Sequence, residues 1–235
     1  MTRRLARASS LILGLAAGAA SPGEHRVGLT LDLVPAPLAR SFEAAAFAGF
    51  TASPGGDPLA AAPSGARIAF DGMTLSPTLS LREAQAIVVP VPSYKRLLTG
   101  EGRAAFADHL EHLENLLSDG GRVSGFLAPL PRPAERLRFR ARVERLDFHG
   151  GRAIRMVGGY ARSEKDPPHL VYTLQGLTAD GLFLVTLFWP IEAAGFQPAA
   201  EPGESGVALD QLPAESFRPR LDELDALSRS LRISS

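Results

Sequence analysis

The chain has 235 residues, of which 45% are hydrophobic and 21% are charged, with 25 basic and 25 acidic side chains. This length suits one sizeable domain or two small ones, and the composition is that of an ordinary globular protein. The sequence has no cysteine, which excludes disulfides, thiolate metal sites, a cysteine nucleophile and a lipid attached at a lipobox cysteine. The balanced charge argues against a strongly basic nucleic-acid-binding protein.

The first 20 residues have the three-part pattern of a secretory signal peptide. A basic start with three arginines at 3–7, an apolar run at 11–17 and an A-x-A cleavage site at 17–19 follow one another. We predict cleavage near Ala19 or Ala20 and a secreted or periplasmic mature chain with 22 basic and 25 acidic residues, a net charge of −3. The alternative is an uncleaved helix or anchor. The apolar run is too short to span a bilayer, which takes about 20 residues, and no transmembrane segment is predicted in the mature chain.

Short strands and helices are predicted in the first half of the mature chain. Leucines alternate with polar residues over Val27–Val34, which is typical of a half-buried strand. Phenylalanines at 42, 47 and 50 indicate a short helix, and the Ala-, Pro- and Gly-rich stretch at about 51–66 is predicted to be a mobile loop. Four further elements are predicted: strands at Ala66–Phe70 and Ala84–Val91, and helices at Ser93–Leu98 and Gly102–Ser118. The second of these helices carries one apolar stripe, formed by Phe106, Leu110, Leu113 and Leu117, and Gly120-Gly121 is its predicted stop.

A meander of four antiparallel strands within residues 137–191 is the centre of the predicted fold. Gly-Gly and Asp-Gly turns between apolar runs are strong indications of hairpins, because tight turns need positive φ angles. The predicted strands are Leu137–Phe148, Ala153–Ala161, Leu170–Leu177 and Leu182–Trp189. In the first strand the apolar alternation changes phase after Arg145, which predicts a β-bulge. The last strand is apolar on both faces, which predicts a central strand covered on both sides.

The C-terminal part is predicted to contain a loop and one helix. Ala193–Pro213 is polar and acidic, with Pro and Gly, and is predicted as a loop. Ser216–Leu231 is predicted as the last helix, with Ser216 as its N-cap and Pro219 in its first turn. Residues 21–235 therefore predict a single α+β domain, an antiparallel sheet with helices packed on it as an α/β/α sandwich.

The meander also carries a resemblance. The runs at 137–162 and 170–191, with the hairpin motif Y-T-L-Q-G-L-T-x-D-G starting at Tyr172, resemble a group of uncharacterised secreted or lipid-anchored bacterial proteins. Ile87–Leu97 is similar to the group's V-x-P-V-x-x-Y segment, and Val27–Ala39 to its opening strand. Two features depart from the group: Gly158-Gly159 replace bulkier residues, and the lipobox cysteine is missing. The order of elements resembles the PsbP-like α/β/α sandwich, a fold that implies an accessory or interaction module and no particular activity.

Arginines form the most conspicuous candidate site. Eight arginines and three acids lie within 132–155, a net charge of +5. Arg138, Arg140 and Arg142 alternate along one strand, so their guanidinium groups, about 7 Å apart, are predicted to share a face that binds an anionic partner, such as a polyanion, a phosphate or a carboxylate. The alternatives are a solvated strand face, or pairing with the acidic C-terminal part, Glu192–Asp225, whose net charge is −6.

Other candidate sites are weaker. His109 and His112 are spaced like metal ligands on a helix, but one such pair supplies too few ligands, so a solvated helix flank is predicted and no metal or cofactor. Tyr160, Tyr172 and Trp189 suit a ligand-stacking platform or ordinary packing, and packing is preferred. No nucleophile elbow, phosphate-binding loop or metalloprotease motif is present, so no catalytic residue is predicted.

These features favour a non-catalytic accessory or binding module outside the cytoplasm, with an unidentified protein or small-molecule partner. Two alternatives stay open. One is an extracytoplasmic hydrolase that uses carboxylates, because carboxylate pairs cannot be matched from sequence alone. The other is a small-ligand carrier, with a pocket between the sheet and the segment at 36–66.

Overall fold

The structure is a computed structural model that describes residues 9–13, 27–31, 38, 42–71, 73, 74, 76, 78–118, 123, 127–199 and 201–234. Over these residues the chain is an α+β protein, an open antiparallel sheet with four α-helices packed on it, as predicted. Most of the predicted signal peptide, the end of the first predicted strand and the Gly120-Gly121 stop lie outside the described residues.

The bounds of the described elements are as follows. The strands are β1 (Ser9–Leu13), β2 (Val27–Leu31), β3 (Phe42–Phe47), β4 (Gly65–Phe70), β5 (Gln85–Pro90), β6 (Arg136–Phe148), β7 (Gly151–Ala161), β8 (His169–Thr178), β9 (Phe183–Ala193), β10 (Phe217–Arg218) and β11 (Leu231–Ser234). The α-helices are α1 (Val91–Leu97), α2 (Gly100–Ser118), α3 (Pro202–Gln211) and α4 (Leu221–Arg229), and short 3-10 turns lie at Pro58–Ala60 and Ala214–Ser216.

The large sheet has the strand order β3-β4-β5-β9-β8-β7-β6, with β10 paired to the end of β9, and all of these pairings are antiparallel. The meander is confirmed as β6 to β9. Its last strand, β9, pairs with β5 on one side and β8 on the other, so the prediction of a central strand is confirmed. The edges of the large sheet are β3 and β6. Strands β1, β2 and β11 form a second, three-stranded sheet.

Helices cover both faces of the large sheet. On one face, Ile87 and Val89 of β5 pack with Tyr94 of α1 and with the apolar stripe of α2, whose four predicted members are buried. On the other face, Ala86 and Val88 pack in the cluster that contains Leu209 of α3 and the buried leucines of α4. Because successive side chains of a strand point to opposite faces, these two clusters lie on either side of the sheet. No described helix is long and apolar enough to cross a membrane.

Two predictions in the N-terminal half need correction or comment. The predicted helix around residues 42–50 is wrong, because Phe42–Phe47 forms the edge strand β3, whose backbone pairs with β4. The second half of the 51–66 segment is anchored: Leu59 is buried, and the hydroxyl of Tyr94 donates to its carbonyl oxygen at 3.1 Å. Strand β1 lies within the predicted signal peptide and pairs with β2; cleavage stays a prediction.

Two predictions at the C-terminal end are also wrong. The predicted loop at 193–213 contains α3, which was missed because its two glycines and its one buried leucine, Leu209, give almost no helical periodicity. The last helix starts at Leu221 instead of Ser216, because residues 217–218 pair with the end of β9 as β10. It ends before Leu231, which lies on β11 and pairs with β2. The leucines of this stretch are all buried: Leu221, Leu224, Leu227 and Leu231.

The unusual Gly158-Gly159 pair allows β6 to pack closely on β7. A Cβ at Gly158 would lie 2.4 Å from the ring of Tyr160, and a Cβ at Gly159 would lie 2.2 Å from the ring of Phe139. Both rings are buried, with 1% and 7% of their area exposed. Aromatic side chains therefore fill the space that larger residues would occupy at these two positions.

We expect Gly159→Ala to destabilise the protein by about 1–3 kcal/mol, since the buried Phe139 ring must move to admit the methyl group. The matched control is Gly203→Ala on α3, where an added Cβ meets nothing within 4 Å and is expected to stabilise the helix by roughly 0.5–1 kcal/mol. Urea denaturation measures both free energies of unfolding. Equal stability of Gly159→Ala and wild type would contradict this packing account.

Candidate functional site

The edge strand β6 is irregular at two places. Its register against β7 shifts between Leu137 and Phe139 and again between Ala141 and Glu144. Arg142, in the second irregular stretch, has a φ of 55°, a conformation that is costly for a residue with a side chain. The predicted β-bulge is thus confirmed, a few residues before the phase change after Arg145. Bulges at sheet edges bend the strand and re-aim its side chains.

Helix α3 holds Arg142 in this conformation. The main-chain N–H of Arg142 donates to Oδ1 of Asp210 at 2.5 Å, and its Nε donates to the carbonyl oxygen of Leu209 at 3.1 Å. The guanidinium lies 5.6 Å from the ring centroid of Phe217, and Arg155 donates to the main-chain carbonyl of Arg142. These contacts bind the C-terminal end of α3 to the middle of β6.

A groove of about 450 Å³ lies between β6 and the start of α3. Its lining combines two arginines with apolar side chains and two helix glycines: Arg138, Arg140, Leu137, Phe139, Pro202, Gly203 and Gly206. A Cβ at Gly206 would lie 2.6 Å from the carbonyl oxygen of Arg140, so this glycine permits the close approach of the helix. At Gly203 an added Cβ meets nothing within 4 Å, so the groove is open there. We call this the β6–α3 groove.

The lining of the β6–α3 groove contains two arginines and no carboxylate. Partial burial lowers the pKa of the Arg140 guanidinium, but the group stays charged at neutral pH. Arg138 has an ion pair with Glu164 at 3.8 Å, and Glu164 is 91% exposed, so this contact contributes only about 0–1 kcal/mol. Because no side chain caps α3 and its first helical residue is Pro202, the N–H groups of Gly203 and Glu204 have no partner within the helix. Guanidinium groups and helix N–H groups both favour anions.

The three arginines of the predicted row have different surroundings in the structure. Arg138 and Arg140 lie together in the groove, whereas Arg142 is engaged by Asp210, Leu209 and Phe217. The acidic C-terminal part contributes Asp210, which accepts from the main-chain N–H of Arg142, while the Arg142 guanidinium donates to the carbonyl of Leu209. Arg138 has an ion pair with Glu164. Binding of an anion by Arg138 and Arg140 stays a prediction.

A buried ionic cluster on the α4 face of the sheet was not predicted. Arg155 is 4% exposed; its Nε donates to Oδ1 of Asp225 at 3.1 Å, and its Nη2 lies 3.0 Å from Oε2 of Glu144. The hydroxyl of Tyr172 donates to the same Asp225 oxygen at 2.9 Å and lies 3.1 Å from Oγ of Ser228. Burial, and then the charge of Asp225, raises the pKa of Tyr172 well above 10. This cluster attaches α4 to β7 and β8. Both oxygens of the Asp225 carboxylate accept hydrogen bonds within the protein.

The three aromatic candidates are interior residues. Tyr160 and Tyr172 are at most 1% exposed, and Trp189 is 8% exposed. Tyr160 lies 3.2 Å from Oγ1 of Thr173 through its hydroxyl, and the Trp189 ring packs 4.9 Å from Phe70. Packing, the preferred interpretation, is confirmed, and these rings offer no platform to a ligand.

A second buried polar cluster lies under α2. The predicted solvated position of His109 is wrong: the residue is 7% exposed, and its Nε2 lies 2.9 Å from Oε1 of Gln175. Gln175 donates through Nε2 to the carbonyl of Leu130 at 3.2 Å and to Oγ1 of Thr186 at 3.3 Å. The amide oxygen therefore faces His109, whose Nε2 carries the proton and donates. The prediction failed because a polar partner on the sheet cannot be inferred from the helix alone.

Burial is the main cause that lowers the pKa of His109 to about 4. The histidine is therefore neutral at pH 7 and does not supply a cation. Among the described residues, no group of three or more His, Cys, Asp or Glu side chains is placed to hold a metal ion.

A second groove, of about 470 Å³, lies where the end of α2 meets two hairpin turns. Its charged lining residues are Glu114, Asp147 and Arg152. Because the signs are mixed, this lining favours neither anions nor cations.

Comparison with known proteins assigns neither a family nor a function to the chain. No family model, no curated protein and no solved structure matches the chain. The resemblance of the meander to a group of secreted bacterial proteins, and of the element order to the PsbP-like sandwich, stays an expectation.

We expect the stability of the protein to fall between pH 6.5 and pH 4 because of His109. In this range the unfolded chain binds a proton at residue 109 that the folded protein, with its pKa of about 4, does not bind, so acid favours unfolding. From pH 7.5 to pH 5 the wild type should lose about 2 kcal/mol more than His109→Gln.

The matched control is His149→Gln, since the His149 side chain is exposed and its main chain alone makes the bridge to Arg232; this variant should match wild type in the same measurement. Urea denaturation at the two pH values gives the four free energies that are needed. If His109→Gln and wild type lose the same stability, His109 titrates normally and the assignment of a buried neutral histidine is wrong.

Proposed function

We propose that this protein is a non-catalytic binding module that works outside the cytoplasm and holds an anionic partner in the β6–α3 groove. The observation that carries the proposal is the placement of Arg138 and Arg140 side by side in that groove, beside the uncapped start of α3. The location rests on the three-part pattern of the first 20 residues.

The contrast among the arginines supports the proposal. Arg142 and Arg155 bind acceptors of the chain itself, and their contacts fix α3 and α4 on the sheet. Arg138 and Arg140 lie at the edge of the sheet, half-buried in the wall of an open groove. The first two arginines thus fix helices on the sheet, whereas the second two belong to the lining of the groove.

The two alternatives from the sequence have less support. A hydrolase needs a carboxylate that can reach a substrate, but Asp225 is buried against Arg155 and Tyr172, and no carboxylate lines the β6–α3 groove. A carrier pocket beside the 36–66 segment has no specific support, because Leu59 and its neighbours pack tightly against α1 there. We therefore place the binding site at the β6 edge.

We expect the double variant Arg138→Ser/Arg140→Ser to lose at least roughly 10-fold in affinity for anionic ligands that wild type binds, since even one charge-assisted hydrogen bond contributes about 1.5–3 kcal/mol. Isothermal titration calorimetry with octanoate, inorganic phosphate and a hexa-aspartate peptide measures the affinities. The protein is isolated from the extracytoplasmic fraction of its own host, where an intact mass that begins near Ser21 supports the proposed location and one that retains Met1 contradicts it.

The matched control is Lys95→Ser/Arg96→Ser, which removes the same charge from exposed positions on α1. Helix α1 follows β5, and β5 is four strands from β6 in the sheet, about 19 Å away and beyond the Debye length of about 8 Å in physiological salt. This control should bind like wild type. Equal loss in both double variants, or no binding of any of the three anions by wild type, would refute the proposal.

A further inference from the structure

We propose that the second groove is a separate ligand site that binds a free α-amino acid, with its carboxylate at Arg152 and its ammonium at Asp147 and Glu114. The inference goes beyond the β6–α3 groove and does not depend on it. A lining that contains both signs suits neither a simple anion nor a simple cation. A zwitterion presents both charges at once and is complementary to such a lining.

The three charged side chains of the second groove are exposed. Arg152 and Asp147 lie directly opposite each other on β7 and β6, and Glu114 lies on α2. Opposite charges at such positions stabilise a sheet when they pair with each other. Within the described part of the chain, however, none of the three side chains forms an ion pair or a hydrogen bond. All three therefore remain available to a ligand that carries both charges.

Hydrogen bonds between the surrounding elements hold the second groove in shape. The Nε of Arg145 donates to the carbonyl oxygen of Leu116 at 2.6 Å, which fixes the last turn of α2 on β6. The main-chain N–H of Ala179 donates to the carbonyl oxygen of Gly150 at 2.8 Å and joins the two hairpin turns. Because these contacts lie within the protein, binding requires little rearrangement of the main chain, which favours affinity.

The size and the charge spacing of the second groove favour a small molecule whose two charges are close together. Its volume of about 470 Å³ lies within the range of about 300–1,000 Å³ that is typical of small-ligand sites. Directly opposite residues of antiparallel strands have Cα atoms about 4.5–5.5 Å apart, so Arg152 and Asp147 reach the same small region. In an α-amino acid the ammonium and the carboxylate are bonded to the same carbon atom, so both can meet their counterparts there.

The net charge of the lining predicts an order of affinity. Two carboxylates and one guanidinium give the second groove a formal charge of −1. A zwitterion places each of its charges next to an opposite one. A cation is attracted by the two carboxylates but repelled by Arg152, and an anion is repelled by both carboxylates. Affinity should therefore fall from the zwitterion to the cation and from the cation to the anion.

The test is a titration of the ¹⁵N-labelled mature protein at pH 6.5, followed by backbone amide shifts, with L-alanine and two analogues. L-alaninamide lacks the carboxylate and N-acetyl-L-alanine lacks the ammonium, and α-amino groups with a pKa of about 8 are protonated at this pH. We expect saturable shifts at Gly151 and Ala179, with a dissociation constant in the millimolar range because the charges are exposed. L-alaninamide should bind at least about threefold more weakly than L-alanine, and N-acetyl-L-alanine more weakly still.

Two variants assign each charge of the ligand to its side chain. Arg152→Gln should weaken the binding of L-alanine and remove the difference between L-alanine and L-alaninamide, because the carboxylate no longer has a counterpart. Asp147→Asn should instead reduce the difference between L-alanine and N-acetyl-L-alanine. The matched controls are Lys95→Gln, at an exposed position on α1, and Glu101→Gln, at the opposite end of α2, about 20 Å from Glu114. Both controls should bind L-alanine like wild type.

The outcomes separate this inference from the proposed function. Equal affinity of wild type for L-alanine and L-alaninamide would show a cation site, and equal affinity for L-alanine and N-acetyl-L-alanine would show an anion site; either result overturns the inference. It is also overturned if no probe gives saturable shifts at 150–152 and 178–181. None of these results involves Arg138 or Arg140, so the proposed function of the β6–α3 groove stands or falls by its own test.

Discussion

The hydrogen bond from the main chain of Arg142 to Asp210 is the constraint on which the arrangement at the edge of the sheet depends. It stabilises a positive φ at Arg142 and joins α3 to β6. The second link, between Nε of Arg142 and the carbonyl of Leu209, holds the last turn of the helix on the strand. Because the C-terminal end of α3 is fixed in this way, the start of the helix lies beside Arg138 and Arg140. The groove forms between this part of the helix and β6. The helix also covers part of an edge strand, which natural sheets protect against pairing with other chains.

Two acidic residues of the C-terminal part contact arginines of the meander. Asp210 and Asp225 engage Arg142 and Arg155, and each of these contacts attaches one helix to the sheet. Arg155 and Asp225 form a buried charged pair, so removing either one would be costly because it leaves the other charge uncompensated. Arg138 and Arg140, nearer the start of β6, line the groove, and this is why they are the candidates for a partner outside the chain.

Much of the fold could be predicted, and the reasons for the failures are physical. The meander, the central β9 and the stripe of α2 follow from periodic apolar patterns and glycine turns, which are local properties. Helix α3 and strand β3 could not be found, because α3 has almost no apolar periodicity and β3 exists through pairing with β4. The groove could be predicted only in part: the alternation along β6 pointed to Arg138 and Arg140, but the reversal at Arg142 depends on Asp210, 68 positions away in the sequence. The clusters around Asp225 and His109 were not predicted for the same reason, since their partners come from strands that are distant in the sequence.

The most direct test of the central claim, that the ligand site is the groove between β6 and α3, is a map of backbone amide shifts. ¹H–¹⁵N spectra of the labelled mature protein, recorded during a titration with octanoate, report each amide separately. The account predicts saturable shifts concentrated at Arg138, Arg140, Gly203 and Gly206, with little change at Arg152 and Thr178 in the second groove. Shifts concentrated at the second groove, or small and unsaturable shifts spread over the surface, would contradict it.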